Sequence, residues 1–265
     1  MIKVVAVLVA LVALLGEARV RSLPKHIKRA IAMALEVPAE HVSVKVKAGA
    51  SEVTEIALRT EGGRVPLELL KRLRPTGRRP DFPVRVGKFT WEARGLRWGE
   101  VRIAELTVRL KGVELDGAKL ARGKLRVGRL GEGSIEVLLT PGDLVRAMAK
   151  AGAPVSRVRF EEGAISVWLG PGGVGVLFVK VRPHAKAGKI SFQVVEAKAG
   201  LVPLPRKVAQ AVLDRAFSGL LKSLSIFGRL KGLGVKIGPE GLRLIGKLSP
   251  RVGRNLEPGG GVMLQ

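Results

Sequence analysis

Apolar and charged residues alternate along residues 101–117, in the sequence VRIAELTVRLKGVELDG. The apolar positions are odd-numbered from Val101, even-numbered from Leu106 and odd-numbered again from Val113. Because side chains alternate between the two faces of a strand, one face stays apolar only if the backbone shifts by one residue at two places. We therefore predict one long strand with an apolar face and two β-bulges, near Ala104–Glu105 and at Gly112.

The same two-residue period predicts strands along most of the chain. They are expected at residues 41–48, 52–60, 84–93, 123–139, 155–181, 189–197, 234–237 and 242–248, with hairpin turns at 161–163 and 170–173. Turns rather than helices join most successive strands, which is typical of an antiparallel sheet. The pattern predicts an α+β fold with one long antiparallel sheet, which the bulges would curve strongly around amphipathic helices.

Amphipathic helices interrupt these strands. A 3.6-residue apolar period predicts helices at Ser22–Val37 and from Pro205 to about Ile226, and Pro66–Arg74 is a candidate short helix. Thr140 and Asp143 have the spacing of a capping box, which predicts the start of a further helix.

The N-terminus has the composition of an export signal. Lys3 precedes an apolar run, Val4–Leu15, and small residues follow up to Ala18. The run is shorter than the roughly 20 residues that span a bilayer. We predict a signal peptide or an uncleaved anchor at residues 1–18, one domain at 19–249, and a flexible tail at 250–265. The mature protein would be periplasmic or otherwise extracytoplasmic.

Lys and Arg outnumber Asp and Glu by 47 to 22, which gives a formal net charge of +25. This charge indicates a polyanionic partner, or else a basic composition without function, as in thermophiles or high-GC genomes. An exported protein meets little nucleic acid, so we expect none as a partner and predict docking on an anionic membrane instead. An ordinary solvated basic surface is the alternative. The candidate docking residues are Arg72, Arg74, Arg78, Arg79, Arg182 and Lys186.

Residues with catalytic or metal-binding chemistry are few. The chain has no cysteine, and its three histidines are scattered, without carboxylates at metal-ligand spacing. GPGGVG at residues 170–175 matches a dinucleotide motif, but a strand rather than a helix follows it. Ser218 lies within a predicted helix, outside any nucleophile elbow. We therefore expect no enzyme activity, no metal and no cofactor.

Three segments resemble a known family: LKGVELDG (residues 110–117), the strand-to-helix step GEGSIEVLLTPGDL (131–144) and the closing strand EGLRLIGKL (240–248). Over roughly residues 84–248 the chain resembles the LmeA-like phospholipid-binding proteins, which are exported bacterial proteins. The segment PLELLKRLRPTGRRPDFP (66–83) has no place in that pattern. The resemblance implies lipid binding in the cell envelope, on a long curved sheet wrapped on helices, similar to tubular lipid-binding folds. It supplies no catalytic residues.

Lipid binding would need a continuous apolar groove. A two-chain phospholipid taken from a bilayer exposes about 30 methylene groups, at roughly 0.8 kcal/mol each, or over 20 kcal/mol. Phe89 and Trp91 share a strand face and are core or groove residues. An ordinary filled core is the alternative, and the protein would then be an envelope structural or adaptor protein for acidic polymers or a protein partner. An enzyme on envelope lipids or glycans is a third, separate hypothesis. The candidate groove residues are Val101, Ile103, Leu106, Val108, Leu110, Leu213, Phe217, Leu220 and Leu224.

Overall fold

Three α-helices, one short 3-10 helix (Ala39–His41) and fourteen strands lie in the described part of the chain, for which we use a computed structural model. It describes residues 23–49, 53–65, 83–98, 101–118, 122, 127–129, 131–150, 152–170, 176–186, 189–224 and 231–248. The predicted signal segment 1–18, the short helix 66–74 with its neighbouring arginines, and the tail 250–265 lie outside the described residues.

The helices are α1 (23–35), α2 (Pro141–Lys150) and α3 (Arg206–Leu224). The first eight strands are β1 (Val42–Ala48), β2 (Val53–Glu61), β3 (Arg64–Val65), β4 (Pro83–Trp98), β5 (Val101–Asp116), β6 (Val127–Arg129), β7 (Gly133–Leu139) and β8 (Val155–Glu161). The remaining strands are β9 (Ala164–Leu169), β10 (Leu177–Lys186), β11 (Lys189–Ala199), β12 (Val202–Pro203), β13 (Lys231–Gly238) and β14 (Gly241–Leu248).

The strands form two sheets, neither of which closes on itself in the described part of the chain. The first has the order β1-β2-β4-β5-β7-β14-β13, with β3 also paired to β4 and β6 to β5; the second has the order β12-β11-β10-β9-β8. The α+β class is therefore confirmed and most pairings are antiparallel, but the prediction of a single antiparallel sheet was wrong. β4 pairs in parallel with β2 and β3, and the predicted strand 123–139 contains two separate strands, β6 and β7.

The helices close the core between the sheets. α2 packs against β5 of the first sheet and β8 of the second, and α3 packs against α2 and β11. The buried side of α1 carries Leu23, Ile27, Ala30, Ile31 and Leu35, which belong to the same apolar core as the residues of both sheets.

The ends of the helices follow from local hydrogen bonding. α1 ends at Leu35, and the next residue, Glu36, has a left-handed φ of 54°. The Val37 N–H donates to the Ala32 carbonyl over 3.0 Å. This is the Schellman geometry, so α1 ends before Pro38 would stop it. At the start of α2 the Asp143 N–H donates to Thr140 Oγ1 (3.3 Å), and the Thr140 N–H donates to Asp143 Oδ2 (3.0 Å). The predicted capping box is confirmed.

β4 and β5 form a long ribbon that kinks twice without a change of register. Pairing lapses where Gly95 lies opposite Ala104 and where Gly87 lies opposite Gly112, yet the register is the same on both sides of each lapse. Gly95 and Gly112 have φ values of 66° and 68°, which favour glycine. At each kink the alternation of buried and exposed side chains therefore shifts by one residue on both strands. The apolar face thus continues on one side of the ribbon. The phase shifts predicted from the sequence are confirmed, but the prediction of β-bulges at Ala104–Glu105 and at Gly112 was wrong. Neither strand has an extra residue at these places, because the partner strand shares each shift.

Ion pairs cross the outer face of the first sheet. The Glu55 carboxylate of β2 accepts a hydrogen bond from Lys47 Nζ of β1 (2.8 Å) and lies 3.4 Å from Lys88 Nζ of β4. The hydrogen bond from Lys47 and, to a smaller extent, the one from Lys88 hold the pKa of Glu55 below its ordinary value. The lowered pKa of Glu55 stabilises the folded protein at pH values above the pKa that Glu55 has in the unfolded chain. This stabilisation is lost as the pH falls through the pKa of Glu55 in the folded protein.

We expect Lys47→Met to raise the pKa of Glu55 towards its ordinary value, because the substitution removes the main hydrogen bond that stabilises the carboxylate. An NMR titration of the side-chain carboxyl carbon measures it. Lys45→Met is the matched control. It removes the same charge from the same face of β1, but Lys45 lies opposite Ala57 and not opposite Glu55. An unchanged pKa in Lys47→Met would contradict the assignment.

Candidate functional site

The inner face of the first sheet, which packs on the core, is sealed near α2. Across six strands, one row of directly paired side chains is at most 2% exposed. We call it the sealed row; it consists of Val42, Thr60, Ala93, Leu106, Val137 and Leu244. Towards α2 the ribbon continues with Leu96 and Ile103, which are equally buried. This part of the sheet is an ordinary filled core.

Two rows next to the sealed row are less covered, and we call them the open rows. The first consists of Val44, Leu58, Trp91, Val108, Ile135 and Gly246, and the second of Val46, Ile56, Phe89, Leu110, Gly133 and Leu248. Six of these side chains are only half-buried, namely Val44, Val46, Phe89, Trp91, Ile135 and Leu248. Strands lie about 4.8 Å apart, so a row across six strands is about 24 Å long.

Local contacts keep the open rows apolar and shallow. The indole N–H of Trp91 donates to Thr60 Oγ1 over 3.0 Å, so the one polar atom of the ring is satisfied within the sheet. Gly133 packs so closely on the carbonyl of Arg109 that a Cβ there would overlap it. Together with Gly246, it leaves each row without a side chain on one strand. The result is an apolar surface, and none of the buried polar side-chain atoms in the described residues lacks a hydrogen-bond partner.

The predicted groove residues lie on two elements, β5 of the first sheet and α3. Val108 and Leu110 lie in the open rows, at 9% and 7% exposure, and Leu106 lies in the sealed row. Val101 and Ile103 are buried closer to α2. On α3, Leu213 and Phe217 are fully buried beneath the second sheet. The side chains of Leu220 and Leu224 lie outside the described ones.

Phe217 is part of a tight aromatic contact. Its ring centroid lies 4.3 Å from that of Phe192 on β11, with the ring planes tilted by 40°. Neither Leu213 nor Phe217 lines either of the two clefts described below. Ile135 and Leu248 were not singled out from the sequence, although the period of their strands placed both on an apolar face.

A cleft of about 450 Å³, which we call the end cleft, lies between α3 and one end of the second sheet. Its walls are Gly152, Ala153 and Pro154 before β8, Leu169 and Gly170 at the end of β9, Val176 and Leu177 at the start of β10, and Val212, Arg215 and Ala216 on α3. Arg215 is the one charged residue among them. An apolar cleft with a single cation suits an amphiphile with an anionic group.

A second, shallower depression of about 440 Å³ lies on the outer side of α1. It contains the basic residues Lys25, Lys28 and Arg29 around Met33, which is 63% exposed. The long aliphatic stems of such cations commonly cover apolar surface. This depression is therefore an ordinary feature of an amphipathic helix.

Two of the six predicted docking residues lie in the described part of the chain. Arg182 and Lys186 are exposed towards the tip of the β10–β11 hairpin. Arg72, Arg74, Arg78 and Arg79 lie outside the described residues.

Several titratable groups of the described residues form ion pairs, as Glu161 does with Lys180. The pKa of Glu161 is lowered, mainly because Lys180 donates a hydrogen bond to its carboxylate and secondarily because Ser166 does. No three His, Cys, Asp or Glu side chains of the described residues converge as a metal site. None of the helical stretches that the structure covers is long and apolar enough to cross a bilayer.

Comparison with known protein families identifies the family of the chain. A family model described as LmeA-like phospholipid-binding matches residues 85–247, which is more than half of the chain. The matched range includes the second sheet, α2, α3 and most of the first sheet, but not β1, β2 and β3. No curated protein and no solved structure matches the chain significantly.

Proposed function

The chain belongs to the LmeA-like phospholipid-binding family, and on that premise we propose that it is an exported cell-envelope protein that holds phospholipid acyl chains on the open rows of its first sheet. The family is one of lipid binding and not a known enzyme family. Binding of a phospholipid therefore needs a surface rather than a catalytic centre.

The observation that carries this proposal is the uneven burial of one continuous apolar face. The sealed row is at most 2% exposed, whereas the adjacent rows leave Phe89, Trp91 and Ile135 half-buried. Each open row contains several half-buried aromatic or branched side chains, which lose favourable burial unless another apolar group covers them. An acyl chain lying across the strands would complete that burial.

The size of the open rows suits an acyl chain. The hydrocarbon core of a bilayer is about 30 Å thick, so a chain of one leaflet extends about 15 Å, against about 24 Å for a row across six strands. Two parallel rows offer a track for each chain of a two-chain lipid. In this proposal Val108 and Leu110 contact the chains directly. The other predicted groove residues with described side chains belong to the filled core, namely Val101, Ile103, Leu106, Leu213 and Phe217.

The cellular setting is part of the proposal. The segment Val4–Leu15 supports export, and the net charge of +25 supports docking on anionic lipid. The docking residues predicted from the sequence are Arg72, Arg74, Arg78, Arg79, Arg182 and Lys186, and of these Arg182 and Lys186 are exposed in the described part of the chain.

A second candidate function is a non-enzymatic envelope adaptor that binds acidic polymers or a protein partner. The near-complete burial of Val108 and Leu110 favours it, because a filled core leaves no space for a lipid. Salt-sensitive binding to an anionic polymer, without uptake of phospholipid, would support this alternative.

Ile135→Glu is expected to weaken phospholipid uptake at least about tenfold, because a carboxylate in the open rows would have to lose its hydration beneath an acyl chain. Uptake is measured with a fluorescent phospholipid, and by mass spectrometry of lipid that copurifies with the full chain. Circular dichroism checks that the variant is folded.

Ser134→Glu is the matched control for this substitution. Ser134 is the preceding residue of β7, and its side chain points to the opposite face of the sheet, opposite Arg109. We expect it to take up phospholipid like the wild type. Equal losses in both variants, or wild-type uptake by a folded Ile135→Glu, would contradict the open rows as the binding surface.

A further inference from the structure

The turn between β11 and β12 exposes large apolar side chains. Leu201 is 97% exposed and Val202 is 65% exposed. Ala199 pairs with Val202, so Gly200 and Leu201 form a two-residue hairpin turn in which Gly200 has a φ of 59°. Such turns usually carry Gly, Asn or Asp, and neither the turn geometry nor the core requires a leucine at 201. The apolar tip therefore points to a partner outside the fold.

The exposed apolar surface extends from the β11–β12 turn onto β10 and α3. The Gly200 N–H donates to the Val176 carbonyl over 3.0 Å, and Val176 lines the end cleft together with Val212 of α3. Val208 lies one helical turn before Val212 and is 52% exposed. We call this surface the apolar edge; it consists of Val176, Leu201, Val202, Val208 and Val212.

Cations surround the apolar edge. Lys198, Arg206 and Lys207 are exposed next to the turn, and Lys198 pairs with Glu196 over 2.5 Å. The first turn of α3 contains no acidic residue and begins with Arg206 and Lys207. Cations are unfavourable at this end, because the helix dipole already places a partial positive charge there. An anionic partner would compensate for this arrangement.

We propose that the apolar edge is the surface with which the protein docks on an anionic lipid bilayer. Leu201 and Val202 enter the headgroup region, and Lys198, Arg206 and Lys207 pair with lipid phosphates. A bilayer fits better than a second copy of the chain, because a symmetric dimer through this edge would bring the same cations together. The inference rests on the proposed phospholipid-binding function and assigns its membrane contact.

This docking surface differs from the one predicted from the sequence. β10 is ten residues long, so Lys186 and the end of β10 next to Leu201 lie about 30 Å apart along the strand. Docking at the apolar edge brings the mouth of the end cleft, with Arg215, to the lipid surface.

A single-site fluorophore tests the contact. The chain contains no cysteine, so Leu201→Cys takes one environment-sensitive label, and Met33→Cys provides a control at another exposed apolar position. Vesicles of equimolar phosphatidylcholine and phosphatidylglycerol are expected to shift the emission of the label at 201 to shorter wavelength, whereas the label at 33 is unaffected. A response only at 33, or no response at 201, overturns the proposal. A shift at 201 that follows protein concentration without vesicles assigns the edge to a second copy and overturns it too.

A binding measurement tests the energetic role. The double variant Leu201→Asp, Val202→Asp is expected to partition onto the same vesicles about tenfold or more weakly, and Met33→Asp to partition like the wild type. Wild-type partition by the double variant, or an equal loss in Met33→Asp, overturns the proposal. Phospholipid uptake from detergent micelles is measured in parallel. If the wild type takes up no phospholipid but docks through residue 201, the proposed function fails and the docking surface stands.

Discussion

Replacing Phe217 with alanine is expected to lower the free energy of unfolding of the lipid-free protein by about 3–5 kcal/mol. The Phe217 side chain is 0% exposed and stacks on Phe192 with ring centroids 4.3 Å apart. Alanine would remove the whole ring from a packed layer between α3 and β11 and leave a cavity. Urea unfolding followed by circular dichroism measures the change.

The same substitution distinguishes a filled core from a hollow groove at α3. If Phe217 lines an empty groove, its loss would cost the lipid-free protein little and would change lipid uptake instead. Val195→Ala is the control, because Val195 lies on the same strand as Phe192 but is 40% exposed. We expect that control to change the free energy of unfolding by less than about 1 kcal/mol.

Asp143→Ala is expected to destabilise the fold by about 2–3 kcal/mol, because it removes the acceptor at the centre of the α2 cap. The Asp143 side chain is 1% exposed. Its Oδ2 accepts hydrogen bonds from the Thr140 hydroxyl (2.6 Å) and from the Thr140 N–H (3.0 Å). Its Oδ1 accepts one from Arg146 Nη2 (2.7 Å), and Arg102 Nη1 lies 3.9 Å away. Alanine would leave the Thr140 donors without this partner and two arginines without this counter-charge.

Arg146→Ala is the comparison that isolates the cap from the ion pair. Arg146 is 55% exposed, and the pairing of an exposed cation contributes at most about 1 kcal/mol. We therefore expect Asp143→Ala to cost clearly more than Arg146→Ala in urea unfolding. Equal costs would show that the ion pair, rather than the cap, carries the stabilisation.

Local features of this fold could be predicted from the sequence because each depends on neighbouring residues. The period of two, with its one-residue shift near Ala104–Glu105, placed Val101, Ile103 and Leu106 on one face of β5, and all three are buried. The spacing of Thr140 and Asp143 predicted the start of α2 because a capping box spans four consecutive residues.

Features that join distant segments could not be predicted in this way. The pairing of β7 with β14 brings together strands about a hundred residues apart, and β2 lies parallel to β4. No periodicity within one segment specifies its partner, so the division into two sheets was missed.

The open rows were missed for a related reason. Ile135 and Val137 have the same place in the two-residue pattern, yet Val137 is sealed and Ile135 is half-buried. The difference depends on what packs over each residue, which a strand pattern does not contain. Phe89 and Trp91 were recognised as face-sharing aromatics, but their role as core or binding surface depends on the same coverage.

The paired kinks of the β4–β5 ribbon restrict how this chain can change its length. Because Gly87 faces Gly112 and Gly95 faces Ala104 within a constant register, deletion of Gly112 alone would turn Val113 and Leu115 to the solvent side of β5. A compensating deletion at Gly87 would be required on the partner strand to restore both the pairing and the faces. Insertions and deletions in this ribbon are therefore tolerated only as matched pairs, so related chains should keep equal spacing between the two kinks on both strands even where their side chains differ.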